Sequence, residues 1–333
     1  MEAPIPAGFE LVNCPGCSSD KWTPARVVHD WALDPTRQIH IVRCNVCGLH
    51  FTNPRPDAEH LPAYYPSDYH CYQPQRGENR RRTKISTAVR AWVLASAYGS
   101  PEKKPRGWHA AVAAIVTLIK PARLFGFGIP YRGQGRLLDF GCGNGTFLRR
   151  MASVGWNVTG LDIGADAVAA VAASGIPAFQ GTLPHPALPL GAFDVVTMRQ
   201  ALEHVTEPRP VLKAAFDLLR PGGHLVIDVP NYDSWEVEYF DDAAQVLDVP
   251  RHVLHFTCDT LRNLLVASGF KVLDVRQVSR ASWIRKSAAH LDRRAPKKYD
   301  WLVRTKIGCA LAAYHAKRIG KGDYLMATAE KPN

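Results

Sequence analysis

Arg136-Leu-Leu-Asp-Phe-Gly-Cys-Gly-Asn-Gly-Thr-Phe-Leu148 is the stretch on which the fold turns. Leu137 and Leu138 have the character of a short buried strand, and they run into Asp139. Gly141, Gly143 and Gly145 follow at alternate positions, and a helical pattern opens at Thr146. Glycine adopts backbone angles closed to other residues and lets the main chain approach a ligand with no Cβ in the way. A strand, a glycine loop and a helix in that order place a nucleotide-like ligand at the carboxyl end of the first strand.

The spacing narrows the ligand. Dinucleotide loops read G-x-G-x-x-G, with a pyrophosphate at the helix N-terminus. Here the loop reads Asp-x-Gly-x-Gly-x-Gly, and a carboxylate at its mouth repels a pyrophosphate while attracting a cation. Twenty-one residues past Gly141, Val158-Thr-Gly-Leu-Asp162 sets a second acid after a second apolar strand. An acid in that position takes ribose hydroxyls. Together Asp139 and Asp162 indicate S-adenosylmethionine, which carries a positive sulfonium, an ammonium and an adenosine.

These residues resemble the class I S-adenosylmethionine-dependent methyltransferases. Phe193-Asp-Val-Val-Thr-Met198 with Gln200-Ala-Leu-Glu-His-Val205 is similar to the family's fourth strand and the turn after it. Leu218-Leu-Arg-Pro-Gly-Gly-His-Leu-Val-Ile-Asp-Val-Pro-Asn231 is similar to its P-G-G turn and fifth strand, and Pro250 to Phe270 to the following loop and helix. The resemblance spans about residues 131 to 280, with a last strand near 323 to 329. It implies an α/β, doubly wound, seven-stranded Rossmann-like sheet. It assigns Asp139, Gly141, Gly143, Gly145, Asp162, Ile163, Gly181, Thr182 and Gln200 to the cofactor. Gly164 stands where a serine commonly follows the ribose acid, and Gln180-Gly181-Thr182 replaces an acid often found facing adenine.

Ahead of this domain, Cys14-Pro-Gly-Cys17 and Cys44-Asn-Val-Cys47 form two C-x-x-C pairs. Two such turns bring four thiolates to one tetrahedral Zn2+. The 26 residues between the pairs are long for a zinc site. A hairpin takes up the excess, with strands at Ala25 to His29 and Gln38 to Arg43 around Asp34-Pro35. Disulfides and a redox C-x-x-C are the competing readings, and His29, His40 and His50 are surplus to a site already filled by cysteines.

The expected organisation is a zinc ribbon over residues 10–55 and a Tyr- and Pro-rich connector with helices over 56–130. The methyltransferase domain then occupies 131–333, with a basic helical insertion at 283–318. Helices are expected at Ile85 to Tyr98, Trp108 to Ile119 and 303 to 318. Zinc-ribbon methyltransferases acting on deoxysugars resemble this order of parts. Their Tyr-rich segment is similar to Tyr64, Tyr65 and Tyr69, and their Glu-His pair before an aromatic-Ser/Thr element to Arg251-His252 before Phe256-Thr257. That likeness implies His252 as base and Tyr64 or Tyr65 in the acceptor pocket. Arg251, in place of the family's Glu, suits an anionic acceptor. The residues after the strands also offer His204, Glu203 and His255 as bases and Asn231 as a substrate contact.

Charge is unevenly spread over the 333 residues, whose formal total is +11. Residues 131–279 carry 12 Lys/Arg against 16 Asp/Glu, a net of −4, whereas 280–321 carry 12 against 2, a net of +10. Residues 76–106 carry 9 against 2, a net of +7. Such segments suit anionic surfaces, so three partners are open: a small, anionic acceptor molecule, RNA, and peripheral contact with an anionic membrane. An RNA methyltransferase is the competing enzyme reading. Against it, the ribbon is not strongly basic, with Lys21, Arg26, Arg37 and Arg43 against Asp20, Asp30 and Asp34, and no Asn/Asp-Pro-Pro-aromatic motif follows the fourth strand. A non-catalytic scaffold on the same fold is the third reading. The start, Met-Glu-Ala-Pro-Ile-Pro, lacks a signal-peptide pattern, and a cytoplasmic setting, peripheral to the inner membrane surface if those segments bind lipid, is expected.

Overall fold

A computed structural model describes residues 5–31, 33–65, 87–119, 128–293 and 295–333. Tyr69 and the basic run at 76–84 lie outside the described residues. Five strands come first: β1 (Phe9–Glu10), β2 (Trp22–Asp30), β3 (Asp34–Cys44), β4 (His50–Thr52) and β5 (Arg55–Pro56). The later strands are β6 (Arg136–Phe140), β7 (Asn157–Asp162), β8 (Ala178–Gln180), β9 (Phe193–Arg199), β10 (Leu219–Pro230), β11 (Leu254–His255), β12 (Lys271–Val278) and β13 (Tyr324–Glu330). Seven of them form one mixed sheet in the order β12-β13-β10-β9-β6-β7-β8. β6, β7 and β8 run parallel, and β12 pairs antiparallel with β13. This is the expected α/β Rossmann-like sheet of the methyltransferase fold. A second sheet joins β11-β4-β3-β2, and β1 pairs with β5.

The described residues divide into two compact units that do not follow chain order. One takes the chain up to Tyr65 with Met198–Phe216 and Leu225–Pro332; the other takes the chain from Thr87 to Thr197 with Asp217–His224 and Asn333.

In the second unit, Leu137 and Leu138 have no solvent exposure, as a strand covered on both faces requires. Each such side chain contributes about 1.5–3 kcal/mol of burial. The helix Thr146–Ser153 buries Phe147, Leu148 and Met151 and leaves Arg149 outward, the 3.6-residue pattern of an amphipathic helix. Gly145 enters that helix at φ +73°, and a Cβ there would meet Val171 Cγ2 at 2.7 Å. The helix Trp108–Ile119 has the expected bounds, and Leu118 and Ile119 near its end stand exposed.

The first unit holds a core the sequence did not announce. Val28, Ile39 and Ile41 of the β2–β3 hairpin pack with Phe240, Leu247, Ile284, Val303 and Ala313. One face of the basic segment closes the hydrophobic side of the hairpin, while Trp301, Ile307 and Leu311 stay exposed. It is also broken into helices at Ala281–Ala288, Asp300–Val303 and Lys306–Arg318 with a 3-10 turn at Leu291–Arg293. Pro296 cannot continue a helix, and Thr305 starts the last one by accepting from Gly308 N at 2.9 Å. The hairpin turn also differs from expectation. It lies between Asp30 and Asp34, which pair with each other, while Asp34 and Pro35 begin β3. Asp34 Oδ1 accepts from Thr36 N at 3.1 Å and fixes that start. β8, three residues long, and the extension of β10 back to Leu219 were not foreseen.

Glu236 is fully buried in this unit. Burial, with the charge of Asp323 behind it, pushes its pKa up from 4.5 to about 8; burial likewise raises Asp323 to about 7. An acid with a higher pKa folded than unfolded holds its proton more tightly in the folded chain. That contribution is complete below about pH 4.5 and is lost as pH rises toward 8. Urea unfolding is expected to show stability falling by about 2–4 kcal/mol between pH 5 and pH 8. Glu236→Gln should remove most of that slope; an unchanged slope would place its origin elsewhere.

Candidate active site

The glycine loop is a left-handed staircase, with φ of +73° at Gly141, +49° at Gly143 and +73° at Gly145. Such angles strain any residue carrying a Cβ. Asp139, at the end of β6, is buried, and its Oδ1 accepts from Thr197 Oγ1 at 2.5 Å. Asp162 ends β7 beside the loop. Its Oδ2 accepts from Gly143 N at 2.8 Å and its Oδ1 from Gly164 N at 2.9 Å. Burial raises its pKa, and those two N–H groups work against the rise.

Two of about four lone-pair positions on the Asp162 carboxylate are thus used, and the others suit a pair of vicinal hydroxyls. Ile163, the next residue, is 57% exposed, an uncovered apolar side chain beside a polar acceptor. Gly181 N donates to Asp162 O at 2.9 Å, which draws the Gly181-Thr182 turn to the same strand end. Carboxylate, bare glycine backbone and exposed apolar surface are the donor set that an adenosyl ligand needs, and the residues fit it.

In the first unit, Cys14, Cys17, Cys44 and Cys47 have their sulfurs within 4.8 Å of one another. Each pair closes a turn: Cys17 N donates to Cys14 O at 3.3 Å, and Cys47 N to Cys44 Sγ at 3.5 Å. The hydrogen bond with Cys47 and burial push the Cys14 thiol up, and the same bond pulls Cys47 down to about 5. Four soft ligands from two turns fit Zn2+. His40 is exposed and His29 hydrogen-bonds Asp242, so neither competes for the site.

A second cluster forms where three strands of chain run side by side in this unit. Val253 N donates to Glu203 O at 2.9 Å and Thr52 N to Val253 O at 3.0 Å. These backbone bonds bring Glu203, His204 and His252 together, with side-chain ligand atoms within 4.8 Å of one another. The two rings stand edge to face, 4.8 Å between centroids. Glu203 has no solvent exposure, and neither carboxylate oxygen has a hydrogen-bond partner among the described residues. Burial drives its pKa well up. Burial also pulls His204 down to about 3, helped by His252, and lowers His252. Both imidazoles are therefore neutral near pH 7.

Hydrogen bonding sets their tautomers. His204 Nδ1 lies 3.0 Å from Arg251 O and His252 Nδ1 2.9 Å from Val246 O. A carbonyl only accepts, so a proton on Nδ1 satisfies both contacts and leaves each Nε2 a lone pair.

Tyr65 joins this cluster, its hydroxyl 2.9 Å from His204 Nδ1. Tyr64 does not: it is buried, and its hydroxyl accepts from Arg37 Nη1 at 2.6 Å. The guanidinium of Arg251 is tied to Asp248. Asn231 is fully buried and donates to Gly322 O at 2.8 Å and Gln277 Oε1 at 3.2 Å. His255 lies on β11, its Nε2 3.2 Å from Thr52 Oγ1. Gln200 sits at φ +51° and donates through Nε2 to Asp228 at 3.0 Å. Two participants were missed by inspection of the sequence. Thr197 gave no signal beyond its strand. Asp248, at φ +31°, precedes Arg251 and His252 by three and four residues, and that spacing was the available clue.

A family model described as a methyltransferase domain matches residues 103–275. Over 109 residues the chain is 44% identical to the "Ubiquinone biosynthesis O-methyltransferase" of Cronobacter sakazakii, across 30% of this chain and 45% of that protein. The protein of the same name from Pectobacterium carotovorum is 40% identical over 124 residues, 34% of this chain and 51% of that one. The chain spans about half the length of the curated relatives it matches. A solved S-adenosylmethionine-dependent methyltransferase from Mesorhizobium loti is 22% identical with a TM-score of 0.43, covering 61% of this chain and 93% of that one.

Proposed function

We infer that this chain, which belongs to the methyltransferase-domain family, transfers a methyl group from S-adenosylmethionine to a hydroxyl of a small molecule. The observation that carries the reading is the Asp162 carboxylate, held by Gly143 N and Gly164 N with lone pairs to spare for ribose hydroxyls. S-adenosylmethionine supplies an already activated methyl group. The chain's share of the work is then to bind the donor, align the acceptor and handle one proton. Asp162, Ile163 and the loop Gly141 to Gly145 would hold the adenosyl part, with Asp139, Gly181 and Thr182 around it.

On the acceptor side, the hydroxyl loses its proton at the cluster of Glu203, His204 and His252, with Tyr65 against His204. A cavity of about 140 Å³ in the same unit is lined by His29, Trp31, Asp248, Arg251 and Arg293 among others. Its ring surface and the guanidinium of Arg293, with the carboxylates of Asp242 and Asp248 alongside, suit a polar, hydroxylated acceptor, a sugar or natural-product intermediate among them. The relatives' printed name, an O-methyltransferase, favours oxygen over carbon as the methylated atom. Four cysteines and no open position make the zinc site a structural one.

Methyl-labelled S-adenosylmethionine incubated with the full chain and a panel of phosphorylated sugars and polyhydroxylated phenols should give an O-methylated product. Calorimetry showing NAD uptake with no affinity for S-adenosylmethionine or its demethylated product would overturn the reading. Among the described residues no helix is long and apolar enough to cross a membrane.

A further inference from the structure

We propose that Glu203, His204 and His252 form a second metal site, distinct from the four cysteines, that takes a divalent first-row cation. Glu203 is the reason to look for one. An ionised carboxylate with no solvent and no hydrogen bond is among the most costly groups a protein can bury. Protonation does not cure this, since the carboxyl would still lack partners for its hydroxyl and its carbonyl oxygen. The guanidinium of Arg251 is engaged by Asp248. What lies within 4.8 Å of the carboxylate is the pair of imidazoles.

Those imidazoles are set up as ligands. Metal-binding histidines characteristically donate one ring N–H to a carbonyl or carboxylate, which fixes the tautomer and aims the other nitrogen at the metal. His204 does so to Arg251 O and His252 to Val246 O. Both Nε2 lone pairs are left available, with Glu203 as the anionic third member. Ligand bonds of about 2.0–2.2 Å put neighbouring ligand atoms about 3–3.5 Å apart, which small side-chain rotations would reach here. Asp248 faces the same ring nitrogen, its Oδ2 3.8 Å from His252 Nε2, and adds a second carboxylate beside the site. Two nitrogens and an oxygen leave coordination positions open, unlike the closed cysteine site. Two imidazoles with one carboxylate select Zn2+, Fe2+ or Mn2+ over Ca2+ or Cu+.

The site deepens the methyl-transfer reading and rests on it for its purpose. A cation held there lowers the pKa of a coordinated acceptor hydroxyl. The proton passes to water, and the electron pair stays on the oxygen that receives the methyl group.

Mn2+ is the suitable probe, since thiolates bind it poorly and the cysteine site will not take it up. The full chain, zinc-loaded and stripped of other metals, is titrated with Mn2+ and the free-ion electron paramagnetic resonance signal followed. One Mn2+ per chain should bind saturably and raise the melting temperature. Glu203→Gln and His252→Gln should each weaken binding at least tenfold and abolish that rise. No saturable uptake by the unaltered chain, or affinities within twofold in both variants, overturns the site. S-adenosylmethionine calorimetry on the same samples confirms that the variants are folded and separates the two failures. Lost Mn2+ uptake with intact donor binding removes the metal alone, whereas Mn2+ uptake without donor binding removes the methyl-transfer reading.

Discussion

Asp162→Ala is expected to weaken S-adenosylmethionine binding by at least about 100-fold, near 3 kcal/mol, since hydrogen bonds to a charged acceptor contribute about 1.5–3 kcal/mol each. Two ribose hydroxyls would be left without their acceptor. A second loss compounds the first. Asp162 also anchors Gly143 N and Gly164 N, so its removal frees the middle of the loop and the start of the following helix. Asp162→Asn separates the two contributions. It keeps one acceptor oxygen but points an N–H₂ at one of two backbone donors, and an intermediate loss of about tenfold is expected. Calorimetry with S-adenosylhomocysteine measures both. An Asp162→Ala chain that binds within threefold of the unaltered one would move the donor site elsewhere.

If the four cysteines hold zinc, its removal should have the largest effect on stability. Structural zinc sites in small modules contribute about 10–16 kcal/mol of apparent folding free energy, and here the module does not stand alone. Val28, Ile39 and Ile41 of the hairpin between the two cysteine pairs share a core with Phe240, Leu247 and Ile284. Loosening the hairpin therefore exposes apolar surface far beyond residues 14–47. Cys44→Ser is expected to abolish stoichiometric zinc and lower the melting temperature by roughly 10 °C or more, a loss of a few kcal/mol at this chain length. Elemental analysis and calorimetric melting test this. Reduced protein that contains no zinc and melts at the same temperature with and without chelator would leave the four sulfurs as ordinary packed thiols.

Much of the fold was legible because its signals are local. The run Arg136 to Leu148 states its structure in thirteen consecutive residues: apolar strand, positive-φ glycines, amphipathic helix. The strand bounds of β6, β7 and β12 could be read from apolar runs and turn residues, and those of Trp108–Ile119 from helical periodicity. Elements without a local signal were lost. β8 is three residues long, too short to show a period, and the basic segment reads as helical over 283–318 because charge and apolar spacing continue past the breaks before Leu291, Asp300 and Lys306. Its buried face was equally hidden. Ile284, Val303 and Ala313 are spaced by packing against a hairpin more than 240 residues earlier, not by any repeat of their own.

The candidate site divides in the same way. Residue types and offsets alone determined the glycine loop with its two acids and the two cysteine turns, because backbone conformation and ligand chemistry at those places are set within a few residues. Only tertiary structure decided that Glu203 would be sealed from water beside His204 and His252, that Tyr65 rather than Tyr64 would reach this cluster, and that Asp248 would face His252 Nε2. Burial and hydrogen-bond partnership are properties of segments meeting in space. They arise from backbone pairing among Thr52, Glu203 and Val253, residues whose neighbours in sequence carry no trace of the encounter.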